Sequence, residues 1–271
     1  MKRLLFILLA PLALAQHPLV TPGNYRCYYR AAVDDTRQPY YLYVPPTYDP
    51  REPTPVAMTM HGFGGRAKAL GGGRKKWADQ KGWLLISLDG RSRQNWDHVG
   101  EDDIYDVLAD LAKHTPDHPQ LNVDTRRLYL EGCSMGGHGA YRAAFRYPDR
   151  VAAVAPGAGW TTYKEFYAHW YDAGSSTTLP HYVDPTRKPL LETASSLWQV
   201  ANGAPVWLSI YYDENDWINP AMNAELVIDR LQESGHERFQ SKVGSKGHCG
   251  SFDANGAYRF FEGKVTDPHP P

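Results

Sequence analysis

The sequence predicts an α/β protein: a mostly parallel, twisted sheet with helices on both faces and an antiparallel hairpin at its N-terminal edge. Two observations carry that expectation. Short apolar, β-branched runs alternate along most of the chain with longer stretches of helical periodicity, the order that lays parallel strands side by side. Ahead of them, residues 26–44 are rich in Tyr and Val and are interrupted by the polar Asp34-Asp35-Thr36-Arg37-Gln38, the pattern of two strands joined by a turn.

The elements follow in order. Residues 56–60 form a strand that runs into the glycine-rich His61-Gly62-Phe63-Gly64-Gly65, followed by a helix ending near Lys81. Residues 83–88 are the next strand, and the loop after it carries Trp96. Ile104, Val107, Leu108 and Leu111 recur at helical spacing, which makes residues 103–114 an amphipathic helix. Residues 127–130 are a strand leading into Glu131-Gly132-Cys133-Ser134-Met135-Gly136-Gly137, and a small-residue helix follows until Pro148 stops it. Further strands are expected at 151–155, 205–211 and 239–243. From 160 to 202 the alternation stops, and aromatics crowd in with Pro180, Pro185, Pro189 and one helix near 190–200. This stretch reads as an insertion over the site that shapes a pocket. Residues 16–271 are accordingly expected to form one domain.

The first fifteen residues stand apart. Lys2-Arg3 gives a positive start, residues 4–14 are an apolar run, and Ala13-Leu14-Ala15 fits a small-x-small cleavage site. The run is shorter than the about 20 apolar residues that cross a bilayer. The expectation is a signal peptide cut near Ala15, a secreted or periplasmic product, and no membrane anchor. The remaining composition is that of a globular chain, 42% hydrophobic and 22% charged, with a formal net charge of −1. No basic stripe marks it for nucleic acid.

Gly132-Cys133-Ser134-Met135-Gly136 has the G-x-S-x-G pattern, placed where a strand gives way to a helix. There the serine turns sharply with its hydroxyl exposed, and glycine is needed on both sides because a side chain would collide with neighbouring backbone. A serine hydroxyl is a weak nucleophile until a base takes its proton, and the base needs an acceptor to orient it. His248 is the leading base: it lies past the last expected strand in Lys246-Gly247-His248-Cys249-Gly250, where glycines suit a reaching loop. His236 is a weaker rival, at what reads as a surface helix exit, and His138 reads as an ordinary helix residue. The acid has candidates in the loop after residues 205–211, which holds Asp213, Glu214 and Asp216. A developing oxyanion needs preorganised donors, and the backbone N–H of Met135 is one.

Together, the 61–65 loop, the 132–137 elbow, the acid loop and Gly247-His248-Cys249-Gly250 resemble the α/β-hydrolase superfamily across nearly all of the chain after residue 15. More narrowly, the chain resembles secreted esterases of the polyhydroxybutyrate depolymerase and feruloyl esterase group. Shared features are a Trp-containing loop near Trp96, an acidic helix start at Asp102-Asp103, and Val123-Asp124-Thr125-Arg126-Arg127-Leu128-Tyr129 before the elbow. The resemblance implies a triad of Ser134, Asp216 and His248. Asp216 falls at the acid position of the family's G-x-x-D-x-x-V-P pattern, while Asp213 stands where that pattern has glycine, so Asp213 stays open as the alternative. The H-G-x motif implies the N–H of Phe63 as the second oxyanion donor. The implied activity is hydrolysis of small or polymeric carboxylic esters of feruloyl, acetyl or polyester type, with no metal or organic cofactor.

Cys133 precedes the serine and Cys249 follows the base, so a formed triad brings the two together. The pair resembles the Cys-Ser…Asp…His-Cys motif of the tannase and fungal feruloyl esterase family, which implies a Cys133–Cys249 disulfide; two buried free thiols are the alternative. Cys27 is left over in the hairpin. Trp96, Trp160 and Trp217 are expected at the pocket entrance, where aromatics suit an aryl ester or a sugar face, with plain packing as the competing reading. A serine peptidase of the same fold is the alternative within hydrolases. A non-catalytic binding protein on a hydrolase fold is the alternative of another class.

Overall fold

The computed structural model describes residues 20–163 and 195–267. The expected signal peptide and most of the 160–202 insertion lie outside the described residues.

The N-terminal hairpin is β1 (Gly23–Arg30) and β2 (Arg37–Val44), antiparallel with Gly23 opposite Val44 and Arg30 opposite Arg37. Its turn is closed by Ala31 N–H on Thr36 O at 2.9 Å, with Asp35 at φ 56, a left-handed conformation that a short polar side chain tolerates. There follow β3 (Thr54–Met60), α1 (Gly72–Lys81), β4 (Leu84–Leu88), α2 (Val99–Leu111), β5 (Val123–Cys133), α3 (Met135–Arg146) and β6 (Ala153–Gly157). A 3-10 helix (Ser196–Gly203), β7 (Trp207–Asp213), α4 (Met222–Glu233), β8 (Phe239–Gly244) and α5 (Ala254–Phe261) complete the order. The strands form one sheet in the order β1-β2-β4-β3-β5-β6-β7-β8. β2 runs antiparallel to β4, and every neighbouring pair from β4 to β8 is parallel. The mixed sheet expected from the sequence is the one observed.

Parallel strands covered on both faces read as unbroken apolar runs, and Leu84–Leu88 and Ala153–Gly157 are buried at every position. Successive side chains leave a strand on opposite faces. On one face Met58, Ile86 and Leu130 join Ile104 and Val107 of α2 and Ala140 and Phe145 of α3. On the other, Ala57, Leu85 and Tyr129 meet Ala78 of α1 and Tyr258 and Phe261 of α5. Each large apolar side chain so buried contributes about 1.5–3 kcal/mol relative to exposure, so these two layers hold the sheet.

Some boundaries differ from expectation. α2 begins at Val99 because Glu101 is buried in ion pairs with Arg142 and Arg146 at 3.1 and 3.2 Å, so charged residues there conceal a packed first turn. β5 begins at Val123, pairing with Thr54 across a register shift that interrupts its pattern. The described part of the helix expected at 190–200 belongs to a 3-10 helix whose end sits on α3: a Cβ on Gly203 would fall 2.6 Å from the Phe145 ring. α5 is only eight residues long, too short for its period to stand out in sequence. Among the described residues no helix is long and apolar enough to cross a membrane.

Candidate active site

β5 ends at Cys133 and α3 starts at Met135, leaving Ser134 alone on the corner at φ 61, ψ −122. A non-glycine residue held there costs on the order of 1–3 kcal/mol and persists only if its surroundings fix it. Two backbone bonds do so: Ser134 N–H donates to Gly157 O at 2.8 Å, and Ser134 O accepts from His138 N–H at 3.0 Å. The flanking glycines are sterically required. A Cβ on Gly132 would lie 2.5 Å from Met60 O, and one on Gly136 only 2.1 Å from the same atom. α3 therefore starts hard against the end of β3, which brings the 61–65 loop beside the serine. A Cβ on Gly62 would sit 3.7 Å from Ser134 Cβ. The residue after Gly62 is Phe63 and the residue after Ser134 is Met135, so the two expected oxyanion donors belong to segments that flank the serine.

The loop after β7 separates its carboxylates by task. Asp216 is buried, and its Oδ1 accepts the backbone N–H groups of Ile218 and Asn219, both at 2.9 Å. His248 Nδ1 lies 2.8 Å from Asp216 Oδ2 and 3.0 Å from Oδ1. A carboxylate can only accept, so Nδ1 carries the proton and Nε2 is left as the acceptor. Asp213, at the end of β7, instead accepts from the backbone N–H of Lys246 at 2.8 Å and of Ser251 at 3.2 Å, and from Ser251 Oγ at 2.5 Å. Burial pushes the Asp213 carboxyl up, but these donors outweigh it and hold it below the ordinary aspartate value. Asp213 thus ties down the two ends of the segment carrying His248, while Asp216 holds the imidazole itself.

Cys133 and Cys249 form a disulfide, a second tether between the serine corner and the histidine segment. Cys27 is a free thiol in β1, and burial pushes it up to about 12, so it stays protonated and inert.

Ser134 and His248 open onto one cavity of about 770 Å³ that is also lined by Phe63, Lys68, Arg74 and Phe252. Its lining also holds a glutamate that is expected just past the end of its strand and that the structure places within β5. Glu131 is fully buried and accepts from Thr59 Oγ1 at 2.6 Å and from Arg74 Nε and Nη2 at 2.5 and 3.0 Å. Arg74 was not among the expected site residues, and its signal lay in Glu131, since a buried carboxylate needs a cation. Among the described residues no cluster of side chains is arranged to hold a metal ion.

The tryptophans divide. Trp96 is 0% exposed and belongs to the core: its Nε1 donates to His61 O at 3.1 Å and its ring packs on His61, so it supports the 61–65 loop from beneath. Trp160 is 3% exposed and stacks on His138 with ring centroids 4.3 Å apart. Neither lines the cavity, which corrects the expectation that they stand at its entrance. Trp217 is 68% exposed beside Asp216, though it too is not among the cavity-lining residues. His138 is a satisfied helix residue, with Nδ1 2.7 Å from Trp160 O and Nε2 3.1 Å from Tyr163 Oη. His236 bonds Gly203 O through Nε2, away from the serine.

The strand order and the serine corner between β5 and α3 define the α/β-hydrolase fold. No protein-family model matches the chain. A bifunctional acetylxylan esterase/xylanase of Neocallimastix patriciarum is 27% identical over 126 residues, 44% of this chain and 17% of that protein. The acylaminoacyl peptidase of Pyrococcus horikoshii matches with a TM-score of 0.68 at 17% identity, over 89% of this chain and 39% of its own. A thermostable esterase matches with a TM-score of 0.64 at 15% identity, over 89% of this chain and 63% of its own. The chain spans a minor part of the curated relative, and the solved structures share its fold.

Proposed function

We propose that this chain is an exported serine carboxylesterase that cleaves feruloyl, acetyl or polyester-type esters through an acyl-enzyme. The observation that carries the reading is the 2.8 Å contact between His248 Nδ1 and Asp216 Oδ2, made by a histidine that shares a cavity with Ser134. With Nδ1–H directed to Asp216, His248 Nε2 takes the Ser134 proton as Oγ attacks the ester carbonyl. The N–H groups of Phe63 and Met135 receive the oxyanion, an interaction worth about 3–4 kcal/mol per donor in the transition state. His248 then protonates the leaving alkoxide, and water, deprotonated by the same nitrogen, releases the acid and restores the serine.

Export is supported by the basic and apolar start of the chain and by the Cys133–Cys249 disulfide, since such bonds persist in oxidising compartments. The test is turnover of p-nitrophenyl acetate, p-nitrophenyl butyrate and a feruloyl ester, alongside peptide amides. Ester turnover should fall by on the order of 10⁶ in kcat in Ser134→Ala. Cleavage of amides but not esters would replace this reading with the peptidase one, and a folded protein inert to both would favour a binding role.

A further inference from the structure

The cavity behind Ser134 is electrically lopsided. The cations lining it include Arg66, Lys68 and Arg74, whereas Glu131 is the single carboxylate among its lining residues. Arg74 is neutralised by Glu131, and Arg66 by Asp89 at 3.2 Å. Lys68 has no ion-pair partner among the described residues. Its backbone is anchored, because the N–H of Lys68 donates to Ser87 Oγ and that of Ala67 to Asp89 Oδ1, both at 3.1 Å.

A second cation lies just outside the cavity lining, against Phe63. The Arg93 guanidinium lies 5.2 Å from the centroid of the exposed Phe63 ring, over the 62–65 loop, and has no ion-pair partner among the described residues either. The loop that carries it is anchored on both sides. Arg91 pairs with Asp34 at 2.6 Å and Asp103 at 3.0 Å, Trp96 is buried, and Arg91, Ser92, Asn95 and Trp96 all adopt positive φ. Non-glycine residues held in that region mark a loop whose shape its surroundings dictate. Two cations with anchored backbones therefore stand by the cavity, Lys68 on its wall and Arg93 against the wall residue Phe63, in a chain whose overall formal charge is −1.

We propose that this cavity takes a carboxylate-bearing part of the ester substrate, selected by Lys68 and Arg93. The inference rests on the serine-esterase reading and narrows its substrate class to anionic esters. An aryl or alkyl group packs on Phe63 and Phe252, and its carboxylate meets the cations, which also raise the local concentration of an anion at the mouth.

Two matched substrate pairs test it. 4-Nitrophenyl hydrogen adipate against its methyl-capped diester places the charge on the acyl side, and 3-acetoxybenzoate against its methyl ester places it on the leaving group. Each kcat/KM ratio is divided by the ratio of uncatalysed hydrolysis rates. In one of the pairs the anion should be favoured by roughly tenfold, the size of one charge-assisted hydrogen bond, and added salt should shrink that advantage. In the Lys68→Gln, Arg93→Gln double variant the ratio should fall to about one. Because the readout is a ratio, a general loss of activity in the variant cancels. Ratios near one in both pairs for the parent protein, or an advantage unchanged in the variant, would overturn the inference while leaving the esterase reading standing. Absence of Ser134-dependent turnover even of the neutral esters would overturn both.

Discussion

Cys133 and Cys249 are covalently joined with their Cα atoms 5.9 Å apart, and each is the chain neighbour of a residue on the cavity wall, Ser134 and His248. The bond spans a sequence separation of 116 residues, for which chain entropy gives up to about 4–5 kcal/mol of stability. Breaking it leaves the histidine segment held mainly by Asp213. The Cys133→Ala, Cys249→Ala double variant should melt roughly 5–15 °C lower, and its kcat should fall with it. Melting curves and ester turnover, with and without dithiothreitol, check this; a protein indifferent to both changes would exclude a stabilising bridge.

Asp213 and Asp216 should respond oppositely to the same substitution. Asp216→Asn keeps the shape of the loop but removes the acceptor that fixes the His248 tautomer, so kcat should drop on the order of 10⁴ with little change in melting temperature. Asp213→Asn weakens three hydrogen bonds and should cost about 1–3 kcal/mol of stability with a smaller loss in kcat. Measuring both quantities for both variants decides it, and equal kcat losses would overturn the assignment of Asp216 as the acid.

The residues that could be read from sequence are those whose chemistry imposes a local backbone signature. Ser134 needs glycine at 132 and 136 because Met60 O leaves no room for a Cβ, and His248 lies between Gly247 and Gly250. Asp213 and Asp216 stand three residues apart with no such signature. What separates them is Asp213's bonds to Lys246 and Ser251, 33 and 38 residues further on, which only the folded chain brings together. The Glu131–Arg74 pair went unread, because Glu131 stood outside the expected strand and its partner lies 57 residues away. The strand pattern itself was most readable where parallel strands are buried on both faces, as at Leu84–Leu88 and Ala153–Gly157, whose runs are short and bounded.

Stability should weaken in acid with a sign that Asp213 fixes. Its folded-state pKa is lowered, so it binds its proton more readily when unfolded. Its contribution is then fully present above the unfolded value, about pH 4, and is lost as pH falls through the lower folded value. The difference in melting temperature between the parent and Asp213→Asn should be constant from neutral pH to about pH 5 and narrow below about pH 4. A gap that is the same at every pH would show that the Asp213 charge carries none of it.

Trp96 and Trp217 give the sharpest contrast between packing and exposure. A Cβ on Gly90 would fall 2.0 Å from the Trp96 ring and one on Gly139 only 2.6 Å from Trp96 Cβ, so two glycines leave the space that the indole fills. Trp96→Ala empties that space beneath the 61–65 loop, and deleting so large a core side chain typically costs about 3–5 kcal/mol. Losing the Nε1 donor also leaves His61 O without that partner. The expected result is a large fall in melting temperature, with kcat declining because the loop that carries the Phe63 N–H loses its support. Trp217 buries little, so Trp217→Ala should change stability by no more than about 0.5 kcal/mol. If its ring meets an aryl or sugar group at the mouth, KM for the feruloyl ester rises while KM for p-nitrophenyl acetate does not. A Trp96→Ala protein as stable as its parent would place that indole outside the core and return it to the pocket entrance.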